Sequence, residues 1–277
     1  MSLIDIGVNF HSARLMGLGL ELLDRAGAAG LSHVLATGTS LRSSQQAFAF
    51  AQQIAATPAT PATRHPGRPK VFSTAGVHPH TAQDWSVSMK NSLEALWAHD
   101  EVVAVGECGL DYNRMFSPKA AQRAAFSAQM DAAARLGKPL FLHCRDAFDD
   151  FRAMMVDAVA AGAHGVVHCF TDGEREASAY LELGLDIGIT GWVTDEKRGQ
   201  ALRGALSVIP LDRIHLETDA PYLRPKNLGK STKYNSYNEP ALLPYVALAV
   251  AQLKEVDLAE LKEQTATNSR RMFKLSR

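Results

Sequence analysis

Apolar residues fall into eight short, nearly unbroken runs rich in Val, Ile and Leu, each followed by a longer segment of helical composition. The runs are Leu3–Gly7, His33–Thr37, Val71–Val77, Val102–Gly106, Pro139–His143, Gly165–His168, Leu185–Ile189 and Ile214–Glu217. Strands with no polar face suit a parallel sheet covered on both sides, and the spacing leaves room for a crossover helix each time. The helices predicted between them are Gly17–Ala28, Leu41–Ala55, Trp85–Ala98, Pro118–Leu136, Asp146–Ala160, Glu174–Leu183 and Glu196–Leu206, followed by Pro240–Leu253 and Leu258–Phe273. Ser117 before Pro118 is a start signal for the fourth, and Asp257 with Glu260 for the last. Eight such units in 277 residues predict an α/β fold with one domain over 1–277, a closed TIM (β/α)8 barrel. An open doubly wound sheet is the alternative. One residue jars: Asp5 interrupts the first strand, and Asn9 follows four residues on, although neither type favours a sheet.

Composition narrows the partners. Lys plus Arg equals Asp plus Glu, 29 against 29, so no net basic field draws in nucleic acid from a distance and any polyanion contact must be local. Three cysteines, Cys108, Cys144 and Cys169, make no disulfide framework and fit a reducing, cytoplasmic setting. No run of eighteen apolar residues and no secretory leader is evident, so the expectation is a cytoplasmic protein with no membrane partner, working as a monomer. The stretch "ATPATPATRHPGRPK" from Ala56 to Lys70 is too proline-rich for helix or central strand, and is expected to be a flexible insertion on the face away from the chemistry.

In such a barrel, active sites form at the C-terminal strand ends, and the unusual polar residues gather there. Strand three ends in "GVHPH" with His78 and His80, strand four in "GECGLD" with Glu107 and Asp111, and strand five in "FLHCRD" with His143 and Arg145. Strand six ends in "VVHCF" with His168, and strand eight in "LETDAPY" with Glu217 and Asp219. Side chains alternate along a strand. If Glu107, His143 and His168 face the barrel mouth, the cysteine after each faces the helices, which disfavours a thiolate metal site. Glu107, His143, His168 and Asp219 then make an oxygen and imidazole set for a divalent cation such as Mg²⁺, with Mn²⁺ or Zn²⁺ as alternatives.

A cation so held keeps positions open for water and substrate, acidifying the water to a pKa of roughly 7 at zinc. The predicted reaction class is metal-assisted hydrolysis. Asp219 serves either as ligand or as the base for the attacking water, and Glu217 either supports it or pairs with Arg145 as a buried carboxylate. His78 and His80 either hold a substrate phosphate or form a turn fixed by Pro79. His11, His33, His65, His99 and His164 are given no chemistry, and His215 sits too deep. "GLGLE" at Gly17 lacks the preceding strand and further glycine of a phosphate loop, and no serine nucleophile elbow is found.

Taken with "DIGVNF", the motifs "STAGVHPH", "GECGLD", "HCRDA", "HCFT", "GITGW" and "ETDAPYL…NEP" resemble those of the TatD family of metal-dependent deoxyribonucleases, over nearly the whole chain. The resemblance implies a Mg²⁺- or Mn²⁺-dependent nuclease, in that branch a 3′-to-5′ exonuclease on single-stranded DNA and RNA. It implies Glu107, His143 and His168 as metal ligands and Asp219 as the catalytic or ligating carboxylate. Most of the wider family carry Asp-x-His-x-His on the first strand, where this chain has Gly7 and Asn9 at the histidine positions. One tight metal position is therefore expected, with at most a weak second one near Asp5, Asn9 and Asp219. Phosphates would meet Arg114, Arg145, Arg198, Arg224, Lys226, Lys230 and Lys233, and bases would stack on Trp192, Tyr222, Tyr234 or Tyr237. Two rival readings use the same residues: a hydrolase of another ester or amide, such as a D-aminoacyl-tRNA deacylase, and a non-catalytic nucleic-acid-binding protein.

Overall fold

The computed structural model describes residues 2–57, 67–229 and 236–276. Most of the proline-rich segment, His65, Lys230, Lys233 and Tyr234 lie outside the described residues. Eight parallel strands follow one another in chain order: β1 (Leu3–Val8), β2 (Leu31–Ala36), β3 (Lys70–Ala75), β4 (Val102–Asp111), β5 (Leu140–Arg145), β6 (Gly165–Val167), β7 (Asp186–Ile189) and β8 (Ile214–Leu216). The circle closes just past β8, where Ala220 pairs in parallel with Val8. There the amide of Asp219 donates to the Gly7 carbonyl at 2.9 Å and that of Asn9 to the Ala220 carbonyl at 2.8 Å. A closed barrel follows, and the open-sheet alternative falls away.

Around it lie α1 (Gly19–Ala28), α2 (Leu41–Ala56), α3 (Val87–Trp97), α4 (Lys119–Leu136), α5 (Phe148–Ala160), α6 (Glu174–Glu182), α7 (Gln200–Ala205), α8 (Leu243–Lys254) and α9 (Leu258–Phe273). The larger core fills the space between strands and helices and includes Cys108. A smaller core joins Ile4, Ile6, Leu35, Phe141 and Val166 to Ala266, Met272 and Phe273 of α9, which plugs the end away from the chemistry. Phe141 is fully buried there, and its truncation to Ala would cost about 3–5 kcal/mol. Among the described residues no helix is long and apolar enough to cross a membrane.

Three departures from the expected elements matter. Strand β4 runs on to Asp111 instead of stopping at Gly106, because Cys108 to Asp111 keep pairing with Leu142 to Arg145 of β5. Glu107 therefore stands within a strand, where its backbone is fixed on both sides. Ser117 does not cap α4, since Pro118 takes that position without a side-chain bond. The Ser117 hydroxyl instead donates to the His80 carbonyl at 3.0 Å and accepts from the Gln83 amide. The helix predicted from Glu196 begins only at Gln200, because the Asp195 carboxylate draws the Lys197 and Arg198 amides into a turn. Asp257 does cap α9, accepting from the Ala259 and Glu260 amides.

Candidate metal centre

One oxygen organises the barrel mouth. Glu107 Oε1 lies 3.2 Å from His78 Nε2, 3.1 Å from His143 Nδ1 and 2.9 Å from His168 Nε2. Each partner is delivered by a different strand end, and each is braced. His78 opens the 3₁₀ turn Pro79–Asp84, where its Nδ1 accepts from the His80 amide at 3.1 Å and leaves Nε2 aimed at Glu107. Two buried glutamines of α4 hold the backbones beneath: Gln129 takes both the amide and the carbonyl of Val77, and Gln122 does the same for Asp111. Buried polar side chains persist when every donor finds an acceptor, and here that requirement fixes the ends of β3 and β4.

Two outer carboxylates complete the arrangement. Asp111 Oδ2 meets His80 Nε2 at 2.8 Å and His143 Nε2 at 3.3 Å, while its Oδ1 accepts from the Asn113 and Arg114 amides. Glu217 Oε2 lies 3.4 Å from His168 Nδ1, and its other oxygen accepts from the Cys169 amide. His143 and His168 are thus each held between Glu107 and an outer carboxylate, the arrangement that orients imidazole ligands around metals. The electrostatics agree. Burial alone would raise Glu107, yet His168 and His78 hold it well below the usual carboxylate range. Burial would lower His168, but Glu107 and Glu217 carry it well above an ordinary histidine. His78 is pushed down to about 4, chiefly by burial.

The β1–β8 side of the mouth is built differently. Asp5 is fully buried, with Oδ1 accepting from the Thr218 amide at 2.9 Å and the Gly7 amide at 3.3 Å, and Oδ2 from the Thr218 hydroxyl at 2.6 Å. Its carboxylate thus takes the amide and hydroxyl of the residue that follows β8 by two positions, beside the point where the barrel closes. Burial pushes this carboxyl up to about 8 against the pull of those bonds. Asn9 Nδ2 donates to Asp219 Oδ1 at 2.8 Å and to the Ala220 carbonyl, and burial pushes Asp219 up to about 7, offset first by His168. Gly7 has a steric reason: a Cβ there would lie 2.6 Å from Glu217 Oε2, and one on Gly188 would lie 2.7 Å from Glu217 Oε1. The Glu217 carboxylate fills the space that a first-strand histidine would need.

Glu107, His143 and His168 thus meet at one point, as the strand pattern predicts. His78, expected at a substrate phosphate or a turn, does form the turn and also joins this group: its ligand atom and those of Glu107 and His143 all lie within 4.8 Å of one another. That spacing and donor set fit a divalent cation, with His168 on the same Glu107 oxygen. His80 stands one step further out, on Asp111. Arg145 is exposed, and Glu217 bonds to His168 and Cys169 in its stead. Asp111, quoted in its motif but given no role, is the residue sequence reasoning missed; its signal was a carboxylate in phase with Glu107 on a strand that ran longer than expected. Cys108 is buried in the outer core and burial raises all three thiols, Cys144 to about 12, so they are inert.

Comparison with known proteins gives consistent findings. The sequence profile described as TatD related DNase matches residues 4–274. The chain is 44% identical over 274 residues to the "3'-5' ssDNA/RNA exonuclease TatD" of Rahnella sp., covering 99% of each chain. It is 43% identical to the protein of that name from Edwardsiella piscicida, covering 99% of this chain and 100% of the relative. Among solved structures, a hydrolase TatD family protein from Entamoeba histolytica superposes with a TM-score of 0.83 at 27% identity, covering 99% of this chain and 98% of the other.

Proposed function

Because the chain belongs to the TatD-related DNase family, we propose that it is a metal-dependent nuclease that removes nucleotides from the 3′ end of single-stranded DNA and RNA. The observation that carries the reading is the single Glu107 oxygen within 3.2 Å of three imidazole nitrogens, at the barrel end where such folds do chemistry. The relatives named as 3′-to-5′ exonucleases match this chain end to end. Glu107, His143 and His168 would hold the ion, with Mg²⁺ the first choice and Mn²⁺ or Zn²⁺ as competitors. His78 is a further donor beside them. When bound, a divalent ion neutralises charge on the scissile phosphoryl group and makes water acidic.

The remaining steps belong to the side chains. Asp219, kept in place by Asn9, takes the proton of the attacking water, and its raised pKa near neutrality suits a base. Asp111 and Glu217 hold the outer nitrogens of His143 and His168 and so leave the inner ring atoms as the ones that would meet an ion. His80 and exposed Arg145 meet the substrate phosphates. On the opposite rim Arg198 stacks over Trp192 at 4.6 Å and shares an open cleft with Lys197 and Lys226, where the rest of the strand lies. A 5′-labelled oligonucleotide of DNA or RNA tests the reading: Mg²⁺ or Mn²⁺ should give a ladder shortening from the 3′ end, and chelator should abolish it. A single internal cut, or cleavage that survives chelator, would refute it.

A further inference from the structure

The "GLGLE" motif, which makes no phosphate loop, builds the wall of a cavity. Gly17 and Gly19 line a recess of about 330 Å³ at the β1 and β2 rim, together with Phe10, His11, Ala47 and Phe50. Gly17 sits at φ +82°, and a Cβ on Gly19 would come within 2.7 Å of the Phe50 ring. Glycine at 19 is what lets that ring lie where it does. Phe10 and Phe50 pack with centroids 4.8 Å apart, which makes an aromatic wall. The His11 ring lines the same recess. At the opening, Gln46 and Gln53 are exposed and their amides form no hydrogen bond among the described residues.

The recess is joined to the metal centre. Phe10 and His11 directly follow Asn9, which holds Asp219. The His11 ring lies 3.5 Å from the Thr39 hydroxyl, and the Thr39 carbonyl accepts from the His78 amide. A recess with an aromatic wall and free amides at its lip, whose Phe10 directly follows the Asn9 that holds Asp219, matches a planar heteroaromatic group that stacks through its face and hydrogen-bonds through its edge.

We propose that this recess is a nucleobase subsite, which receives one base next to the scissile phosphate of the substrate strand. The inference rests on the nuclease reading above. Its chemistry explains a requirement for unpaired strands, since a base held in a duplex cannot enter. Stacking of one base is worth about 1–3 kcal/mol, or roughly five- to 150-fold in affinity.

The test compares 5′-labelled single-stranded oligonucleotides that are intact with ones carrying an abasic site at the 3′-terminal or the penultimate position, using the wild-type enzyme with Mg²⁺. The subsite predicts that one of the two abasic substrates shows a KM raised about tenfold. In Phe50→Leu, checked for folding by thermal melting, the KM ratio between abasic and intact substrate should shrink towards one. Equal KM for all three substrates in the wild type overturns the proposal while leaving the nuclease reading intact. A base effect that survives undiminished in a folded Phe50→Leu places the base elsewhere and overturns it too. If no oligonucleotide is degraded at all, the nuclease reading fails, and the subsite with it.

Discussion

Two sides of the same barrel mouth carry the same kinds of residue and use them in opposite ways. Around the ends of β3, β4, β5 and β6, carboxylates and imidazoles face one another: Glu107 Oε1 has three ring nitrogens around it, and the outer nitrogens of His143 and His168 are held by Asp111 and Glu217. Along the β1–β8 seam, the Asp5 carboxylate is spent on the backbone and hydroxyl of Thr218 and on the Gly7 amide. An acid at a strand end is therefore no ligand by position alone. It becomes one when its oxygens face other donors and not the main chain. Asp219 stands between the two regimes, tied to Asn9 on one side and within the field of His168 and Glu107 on the other.

The largest expected effect comes from removing the charge at the centre of the first side. Glu107→Gln should lower kcat by at least ~10³-fold, a loss of the size seen for groups that meet the reacting centre directly. Its melting temperature should fall as well, because the buried imidazoles lose the charge that faces them. A variant that keeps a tenth of the wild-type rate would show that Glu107 is not the organising ligand. Next comes Asp111→Asn. It retains an acceptor for His143 but loses the charge, and should weaken metal affinity about 10–100-fold, measured as the Mn²⁺ concentration for half-maximal activity.

The seam should respond in stability. Gly7→His restores the residue type of the wider family, yet its Cβ would press on Glu217 Oε2 and on the Phe141 ring. Overpacking of this kind costs about 1–3 kcal/mol, and the variant should unfold earlier in denaturant without gaining a second tight metal. Combining Gly7→His with Glu217→Ala, which empties that space, should recover part of the loss; no recovery would mean that the Glu217 contact is not what excludes a side chain at position 7. The last effect is a pH dependence. Burial raises the folded pKa of Asp5 from the ordinary carboxylate range to about 8. Its stabilising share is therefore complete below about pH 4 and lost as pH rises through 8. Wild type should lose stability steadily relative to Asp5→Asn as pH rises between those limits, and parallel stability curves for the two proteins would contradict the buried, protonated acid.

Much of the first side was legible in the chain. Strand phase and the C-terminal placement of "GEC", "LHC" and "VHC" predicted that Glu107, His143 and His168 would meet, because a parallel barrel delivers its strand ends to one place. The seam was not legible. Asp5 looks the same in the sequence whether its oxygens face a cation or Thr218, and the choice depends on a pairing across 213 positions of the chain that no local pattern announces. Asp111 was obscured because its strand continued past Gly106, through glycines that weaken a strand signal. His78 was ambiguous because Pro79 marks the turn equally well whichever way the ring points. Gly7 was legible as a missing ligand but not as a clearance for Glu217, a contact across 210 positions of the chain.

The central claim is that this mouth holds one divalent ion on the Glu107 side and none of comparable strength at the seam. Calorimetric titration of Mn²⁺ into metal-stripped protein tests it most directly. One tight equivalent, lost in Glu107→Gln and kept in Asp5→Asn, is the predicted result. Two equivalents of similar affinity, or a single one abolished by Asp5→Asn and indifferent to Glu107→Gln, would contradict it.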